Sequence, residues 1–86
     1  MGMEISVTDI ATLGSYDGCE VYLPGDSMIE KKHARVIKQA EGFIVENISK
    51  SGLVKIDNVE LKAGEISSPI AMGSQIWLGN TLVEFK

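Results

Sequence analysis

Apolar and polar residues alternate with a period of two in several short stretches of this chain. In residues 34–40, for example, Ala34, Val36 and Ala40 fall on the same face. This period is typical of a β-strand with one buried face. Together with other short stretches rich in Val, Ile and Leu, it predicts strands at residues 4–8, 19–23, 34–40, 42–47, 53–56, 65–70, 74–78 and 81–85.

Turn-forming residues separate these stretches. Residues 39–42 predict a hairpin connection in which Gly42 supplies a positive φ, and Asp57-Asn58 and Gly79-Asn80 predict two further turns. Residues 26–35 have a helical composition, but polar residues interrupt any apolar stripe, so we predict a loop with room for one helical turn. Many short strands with turns between them predict an all-β sandwich or barrel.

Length and composition narrow the class of protein. The 86 residues are 44% hydrophobic and 23% charged, which predicts one globular domain over residues 1–86. The net charge of −4 argues against nonspecific nucleic-acid binding, which needs a basic face, although it leaves room for a small local basic patch, and we expect no nucleic-acid partner. Apolar runs reach only three residues and no signal peptide precedes them, so we expect a cytoplasmic protein without a membrane partner.

Met1-Gly2, which also fits a myristoylation pattern, is interpreted as a cloning remnant before a start at Met3.

Residues 29–36, which read Ile-Glu-Lys-Lys-His-Ala-Arg-Val, resemble the Ser-Arg-x-His-Ala motif of the forkhead-associated (FHA) domain. Further similarities follow the family's order. Leu13-Gly14 resembles the end of its Ile-Gly-Arg motif, and residues 49–52 are similar to its Ser-x-Asn-Gly. Residues 54–58 resemble its Val-Asn-Gly turn, and residues 70–79 its closing Leu-x-x-Gly-Asp-x-Ile-x-Leu-Gly pattern. The resemblance covers the chain from about Ile10 to Phe85 and implies an FHA-like (SMAD/FHA type) β-sandwich of two antiparallel-rich sheets.

The resemblance also implies a function, namely non-catalytic protein–protein interaction, typically with phosphothreonine peptides. At the three positions where the family contacts the ligand with arginine, serine and asparagine, this chain has Ser15, Glu30 and Ser51. A serine lacks the bidentate charged fork of arginine, and a carboxylate repels a phosphate that carries about −1.5 to −2 charges. We therefore predict an FHA-type interaction module in which phosphothreonine recognition is weakened or lost.

Three lysines leave an alternative open. If the fold is as predicted, Lys31, Lys32 and Lys50 lie on or near the same loop end. Their ammonium groups can attract a phosphate or an acidic peptide without arginine. The alternative is a working phosphothreonine-peptide reader that uses these lysines, whereas lysines in loops are commonly only a solvated surface.

No residue pattern predicts an enzyme, a metal site or a cofactor. A lone His33 and a lone Cys19 cannot supply three or four metal ligands, and the single cysteine excludes an internal disulfide. By resemblance His33 braces the recognition loop, and Gly14 and Gly52 support the loops as turn residues.

Trp77 alternates against its neighbours and either marks a contact surface or is partly buried. Exposed edge strands leave self-association open.

Overall fold

The computed structural model describes residues 2–5, 9–40, 42–71 and 73–85 of the chain. Within these ranges it contains β-strands and no helix. The strand bounds are β1 Gly2–Ile5, β2 Ile10–Gly14, β3 Val21–Tyr22, β4 Ala34–Gln39, β5 Gly42–Asn47, β6 Val54–Ile56, β7 Val59–Leu61, β8 Gln75–Leu78 and β9 Thr81–Phe85. No helix in the described part of the chain is therefore a candidate to cross a membrane.

The strands form two sheets. One has the order β1-β9-β8-β6-β7 and the other the order β3-β2-β4-β5. The pairs β1–β9 and β2–β3 are parallel, and the remaining pairs are antiparallel. The predicted sandwich of two mostly antiparallel sheets is confirmed.

The core lies between the sheets, where the period-two pattern buries one face of each long strand. On β5, Phe43 and Val45 are buried while Ile44 is only half-buried, and on β8, Ile76 and Leu78 are fully buried on either side of the half-buried Trp77. Phe43, Val45, Ile76 and Leu78 belong to one hydrophobic cluster that includes residues of both sheets. Each Å² of apolar surface removed from water contributes about 25 cal/mol to the free energy of folding. This cluster is therefore the main source of stability.

The turns follow the predicted chemistry. Gly42 has φ 141° where β4 passes into β5, and Asp57 and Asn58 have φ 45° and 72° in the two-residue turn between β6 and β7. Two successive left-handed residues match the twist of a tight hairpin, which explains the Asp-Asn pair. Residues 26–33 form a loop without a helix, as predicted.

Several strand predictions are wrong. Strands β2 and β7 were missed, because Ala11 and Gly14 weaken the β signal of the first and the second has only three residues. The predicted strand at 65–70 is irregular and makes only two isolated bridges, Phe43 with Ile70 and Glu46 with Ile66. Pro69 in this segment has no N–H for a ladder.

Other boundaries shift. The predicted strand at 19–23 shortens to the two residues of β3, and Ala40 is exposed because it follows the end of β4. The predicted strand at 4–8 overlaps β1, and its residues 6–8 lie outside the described residues, as do Met1 and the side chain of Phe85.

Candidate functional site

Loops from both sheets meet at one end of the sandwich, which we call the loop end. Ala34 at the start of β4 pairs with Leu13 near the end of β2 and with Asn47 at the end of β5. In the other sheet Val54 at the start of β6 pairs with Leu78 at the end of β8. The segments 15–20, 23–33 and 48–53 and the turn at 79–80 are therefore neighbours, although they are distant in sequence.

The Glu30 side chain points at the backbone of the 48–53 segment. One carboxylate oxygen, Oε1, accepts a hydrogen bond of 2.8 Å from the N–H of Lys50, and Oε2 accepts one of 3.1 Å from the N–H of Ser51. The Ser51 hydroxyl lies 3.4 Å from Oε2. The N–H groups of Lys50 and Ser51, in that order, hold the pKa of Glu30 below its usual value of 4.5. A negative side chain of the protein itself thus occupies an anion-binding pair of amides.

His33 is fully buried beneath this contact. Its Nδ1 accepts a hydrogen bond of 3.1 Å from the N–H of Glu30, and its Nε2 lies 3.0 Å from the carbonyl oxygen of Leu53. A neutral imidazole with its proton on Nε2 satisfies both partners. Because each ring nitrogen is engaged by the backbone, His33 ties the segment 23–33 to the segment 48–53.

Gly52 is the residue that lets the loop approach the His33 ring. A Cβ on Gly52 would stand 2.6 Å from Cε1 and 2.7 Å from Nε2 of His33. Gly14 plays a similar part at the end of β2, where a Cβ would collide with the carbonyl oxygen of Lys31. Both glycines therefore lie where the loop end requires close backbone packing.

Asn47 is a buried polar hub that sequence reasoning missed. Its Nδ2 donates to the carbonyl oxygens of Gly52 at 3.0 Å and Leu61 at 2.7 Å. Its Oδ1 accepts from the N–H of Ser49 at 3.0 Å and from the Ser49 hydroxyl at 2.6 Å. The available signal was the alternation of β5, which places residue 47 on the same buried face as Phe43 and Val45.

Asp26 is a second tether that the sequence did not reveal. Its Oδ1 accepts from the N–H of Met28 at 2.9 Å, and its Oδ2 accepts from the N–H of Asn80 at 2.7 Å and the Thr81 hydroxyl at 3.0 Å. The bonds from Met28 and then Asn80 lower the pKa of Asp26. Asp26 therefore fixes the 23–33 segment to the turn between β8 and β9.

The structure places the three candidate lysines around a single groove of about 550 Å³. We call it the basic groove, and its lining residues are Tyr16, Glu30, Lys31, Lys32, Ile48 and Lys50. Lys31, Lys32 and Lys50 are exposed. Among the described residues, Arg35 and Glu46 form an ion pair, and none of the three lysines forms one.

Glu30 lines the basic groove with the lysines, whereas the candidate residues Ser15 and Ser51 do not. Ser51 lines a second groove of about 620 Å³, the apolar groove, whose lining is Met28, Ser51, Gly52, Leu53, Lys55, Glu60, Trp77, Gly79 and Asn80. Trp77 is half-buried and faces this groove rather than the core. Ser15 lines neither groove, and its backbone N–H donates to the carbonyl oxygen of Glu30 at 3.0 Å.

Catalytic and metal-binding chemistry find little support at the loop end. Cys19 is buried, its Sγ donates to the carbonyl oxygen of Lys31 at 3.2 Å, and burial raises the pKa of the thiol, which makes it a poor nucleophile. Among the described residues no group of three or more His, Cys, Asp or Glu could hold a metal ion.

The fold is shared with solved FHA domains. The FHA-2 domain from a Mycobacterium tuberculosis ABC transporter matches with a TM-score of 0.75 at 11% identity, covering 93% of this chain and 69% of that domain's chain. The FHA domain of CT664 protein from Chlamydia trachomatis matches with a TM-score of 0.70 at 25% identity, covering 86% and 71%. This chain is an FHA-type domain by fold.

A third similar structure contains a ligand. The N-terminal FHA domain from S. cerevisiae Rad53p, in complex with a phosphothreonine peptide, matches the FHA-type domain with a TM-score of 0.66 at 17% identity, covering 79% of this chain and 54% of that one. No family model matches the sequence, and no curated protein matches it either. The tertiary structure therefore shows an FHA-type fold that neither sequence comparison detects.

Proposed function

We propose that this FHA-type domain is a non-catalytic protein–protein interaction module in which phosphothreonine recognition is weakened or lost. The observation that carries the proposal is the Glu30 carboxylate on the N–H groups of Lys50 and Ser51. Those two amides converge on one anion, and a phosphate that used them would have to displace a carboxylate that is also negative.

Electrostatics adds to this competition. A phosphothreonine carries about −1.5 to −2 charges at neutral pH. The lowered pKa of Glu30 keeps its carboxylate ionised throughout the physiological range, so the repulsion persists. Ser15 offers no charged fork in compensation and lines neither groove. The site therefore lacks the arginine of the family pattern and carries an opposing charge.

The proposal of a non-catalytic module rests on two other residues of the loop end, His33 and Cys19. Both ring nitrogens of His33 are hydrogen-bonded to the backbone. The Cys19 thiol is buried and donates to the carbonyl oxygen of Lys31. Neither group is poised to move a proton or attack a substrate. The loop end is therefore suited to binding a partner rather than to catalysis.

The alternative is a phosphothreonine-peptide reader that uses Lys31, Lys32 and Lys50. One observation favours it, since the three lysines line the same groove without an ion-pair partner among the described residues. Lysine is a strongly hydrated point charge on a flexible stem, however, and holds phosphate less specifically than the planar fork of arginine.

Paired peptide libraries distinguish the two functions. One library carries a fixed phosphothreonine and the other a plain threonine, and each is titrated against the protein at two ionic strengths. We expect no preference for the phosphorylated library beyond the salt-sensitive attraction of added charge. The double variant S15R/E30S should gain a preference of about tenfold or more, because it removes the blocking carboxylate and supplies a bidentate partner.

A matched variant controls for net charge. S15R/E30S raises the net charge by two, and the double variant D9S/E60S raises it by the same amount at two exposed carboxylates away from the amides of Lys50 and Ser51. It should leave the preference unchanged. A wild-type preference of about tenfold for phosphothreonine, abolished by Lys31→Ala or Lys50→Ala, would overturn the proposal and establish the alternative.

Two further expectations remain predictions: self-association through exposed strand edges, which sedimentation equilibrium would decide, and a cytoplasmic location.

A further inference from the structure

The positive charge of this acidic chain is unevenly distributed. The protein has eight Lys and Arg residues and a net charge of −4, yet three of the eight line the basic groove. All three lysines are exposed, and none joins an ion pair within the described residues. The groove is therefore a local positive surface on a negative protein, which favours a negative partner.

The one acidic residue of the groove is already engaged. The carboxylate oxygens of Glu30 are directed at the N–H groups of Lys50 and Ser51. Glu30 is thus held by backbone amides and forms no ion pair with the three lysines, so their ammonium groups stay available for a ligand.

The volume and lining of the groove favour a peptide segment. The volume of about 550 Å³ is large enough for several side chains, and Ile48 and the half-exposed Tyr16 ring add apolar surface to a lining that includes the lysines. Apolar contact of this kind orders an extended segment, while the charged ends of the lysines remain at the rim.

We infer that the basic groove binds an acidic, unphosphorylated segment of a partner protein, whose Asp and Glu carboxylates meet Lys31, Lys32 and Lys50. The inference rests on the proposed function, since it names the partner class of the same loop end. An acidic segment carries one negative charge on each of several side chains. Each carboxylate can therefore pair with a different lysine, whose ammonium group is mobile on its flexible stem. A phosphate concentrates its charge on one group and needs the convergent donors that Glu30 already occupies.

Four peptides of equal length on one neutral scaffold test this inference. The first carries several glutamates, the second has glutamine at the same positions, the third has phosphothreonine with the net charge of the first, and the fourth has lysine. Titration by fluorescence anisotropy at two ionic strengths should show the glutamate peptide binding at least about tenfold more tightly than the glutamine peptide at low salt, and the difference should shrink as salt is added.

Single-charge variants then locate the binding surface. Lys31→Gln and Lys50→Gln should each weaken the glutamate peptide about two- to fivefold, the range of one partly exposed ion pair. Lys38→Gln is the matched control, because Lys38 is exposed near the opposite end of β4. It should weaken binding much less. Circular dichroism verifies that each variant keeps the β-sandwich.

The outcomes separate the two proposals. Equal binding of the glutamate and glutamine peptides, or an equal loss in Lys38→Gln and Lys31→Gln, would overturn the acidic-segment inference and leave the proposed function standing. Tighter binding of the phosphothreonine peptide than of the glutamate peptide of equal net charge would overturn the proposed function as well.

Discussion

Replacing Asn47 by leucine should be among the most destabilising single changes at the loop end. Leucine has the same number of side-chain heavy atoms and the same branching, but it can form none of the hydrogen bonds. The Asn47 side chain has no exposed surface, donates to Gly52 and Leu61, and accepts two hydrogen bonds from Ser49. The variant therefore removes all four bonds in a place that water does not reach.

The magnitude follows from these bonds. A buried hydrogen bond contributes about 1 kcal/mol net, and a buried group left unsatisfied costs about 1–3 kcal/mol. Four lost bonds around Asn47 should lower the free energy of unfolding by about 3–5 kcal/mol. A chain of this length has a total of roughly 4–13 kcal/mol, so the loss is a large share. At about 4–8 °C for each kcal/mol, Tm should fall by at least about 12 °C.

Urea denaturation followed by circular dichroism measures the effect. Asn80→Leu is the control, because Asn80 is exposed in the turn between β8 and β9, and it should change stability by at most about 0.5 kcal/mol. If Asn47→Leu does not fold, Ser49→Ala, which removes one hydroxyl donor to Asn47, should still cost about 1 kcal/mol. A loss below about 1 kcal/mol in Asn47→Leu, or no greater than in the control, would refute the reasoning.

Three further changes probe the contacts of the loop end. The pKa of Glu30 is lower in the folded protein than its usual 4.5, so its stabilising contribution is fully present above that value and is lost as the pH falls through the folded-state pKa. Glu30→Gln should therefore show a flatter decline of the urea midpoint below about pH 5. Gly52→Ala should cost about 1–3 kcal/mol in urea denaturation, because the new Cβ would lie 2.6 Å from Cε1 of His33. Asp26→Ala should speed hydrogen exchange of the Asn80 amide, measured by NMR, because that N–H loses its acceptor.

Controls keep these tests specific. Glu60→Gln removes an exposed carboxylate and should retain the acid sensitivity of the wild type. Equal acid sensitivity in Glu30→Gln and the wild type would contradict the assigned role of the carboxylate. A fully stable Gly52→Ala protein would mean that the loop moves away from His33 at little cost. Unchanged protection of the Asn80 amide in Asp26→Ala would show that Asp26 does not hold the turn.

The fold class was determined by local sequence patterns. The alternation in β4 and β5 and the turn pair Asp57-Asn58 follow from backbone sterics and from burial on one face, which act within a few residues. The edge strand β7 has only three residues beside its hairpin neighbour β6, and the irregular segment at 65–70 depends on isolated bridges to the more distant β5. Their own composition therefore predicted them poorly.

The order of motifs along the chain placed Glu30, Lys50 and Ser51 at one end of the sandwich. The direction of the Glu30 carboxylate was decided only by the tertiary structure, because its acceptor bonds reach amides about twenty residues away. Asn47 likewise draws its partners from two segments that the fold brings together. Sequence patterns encode which residues are buried, whereas the convergence of donors and acceptors from separate loops exists only once the two sheets have packed.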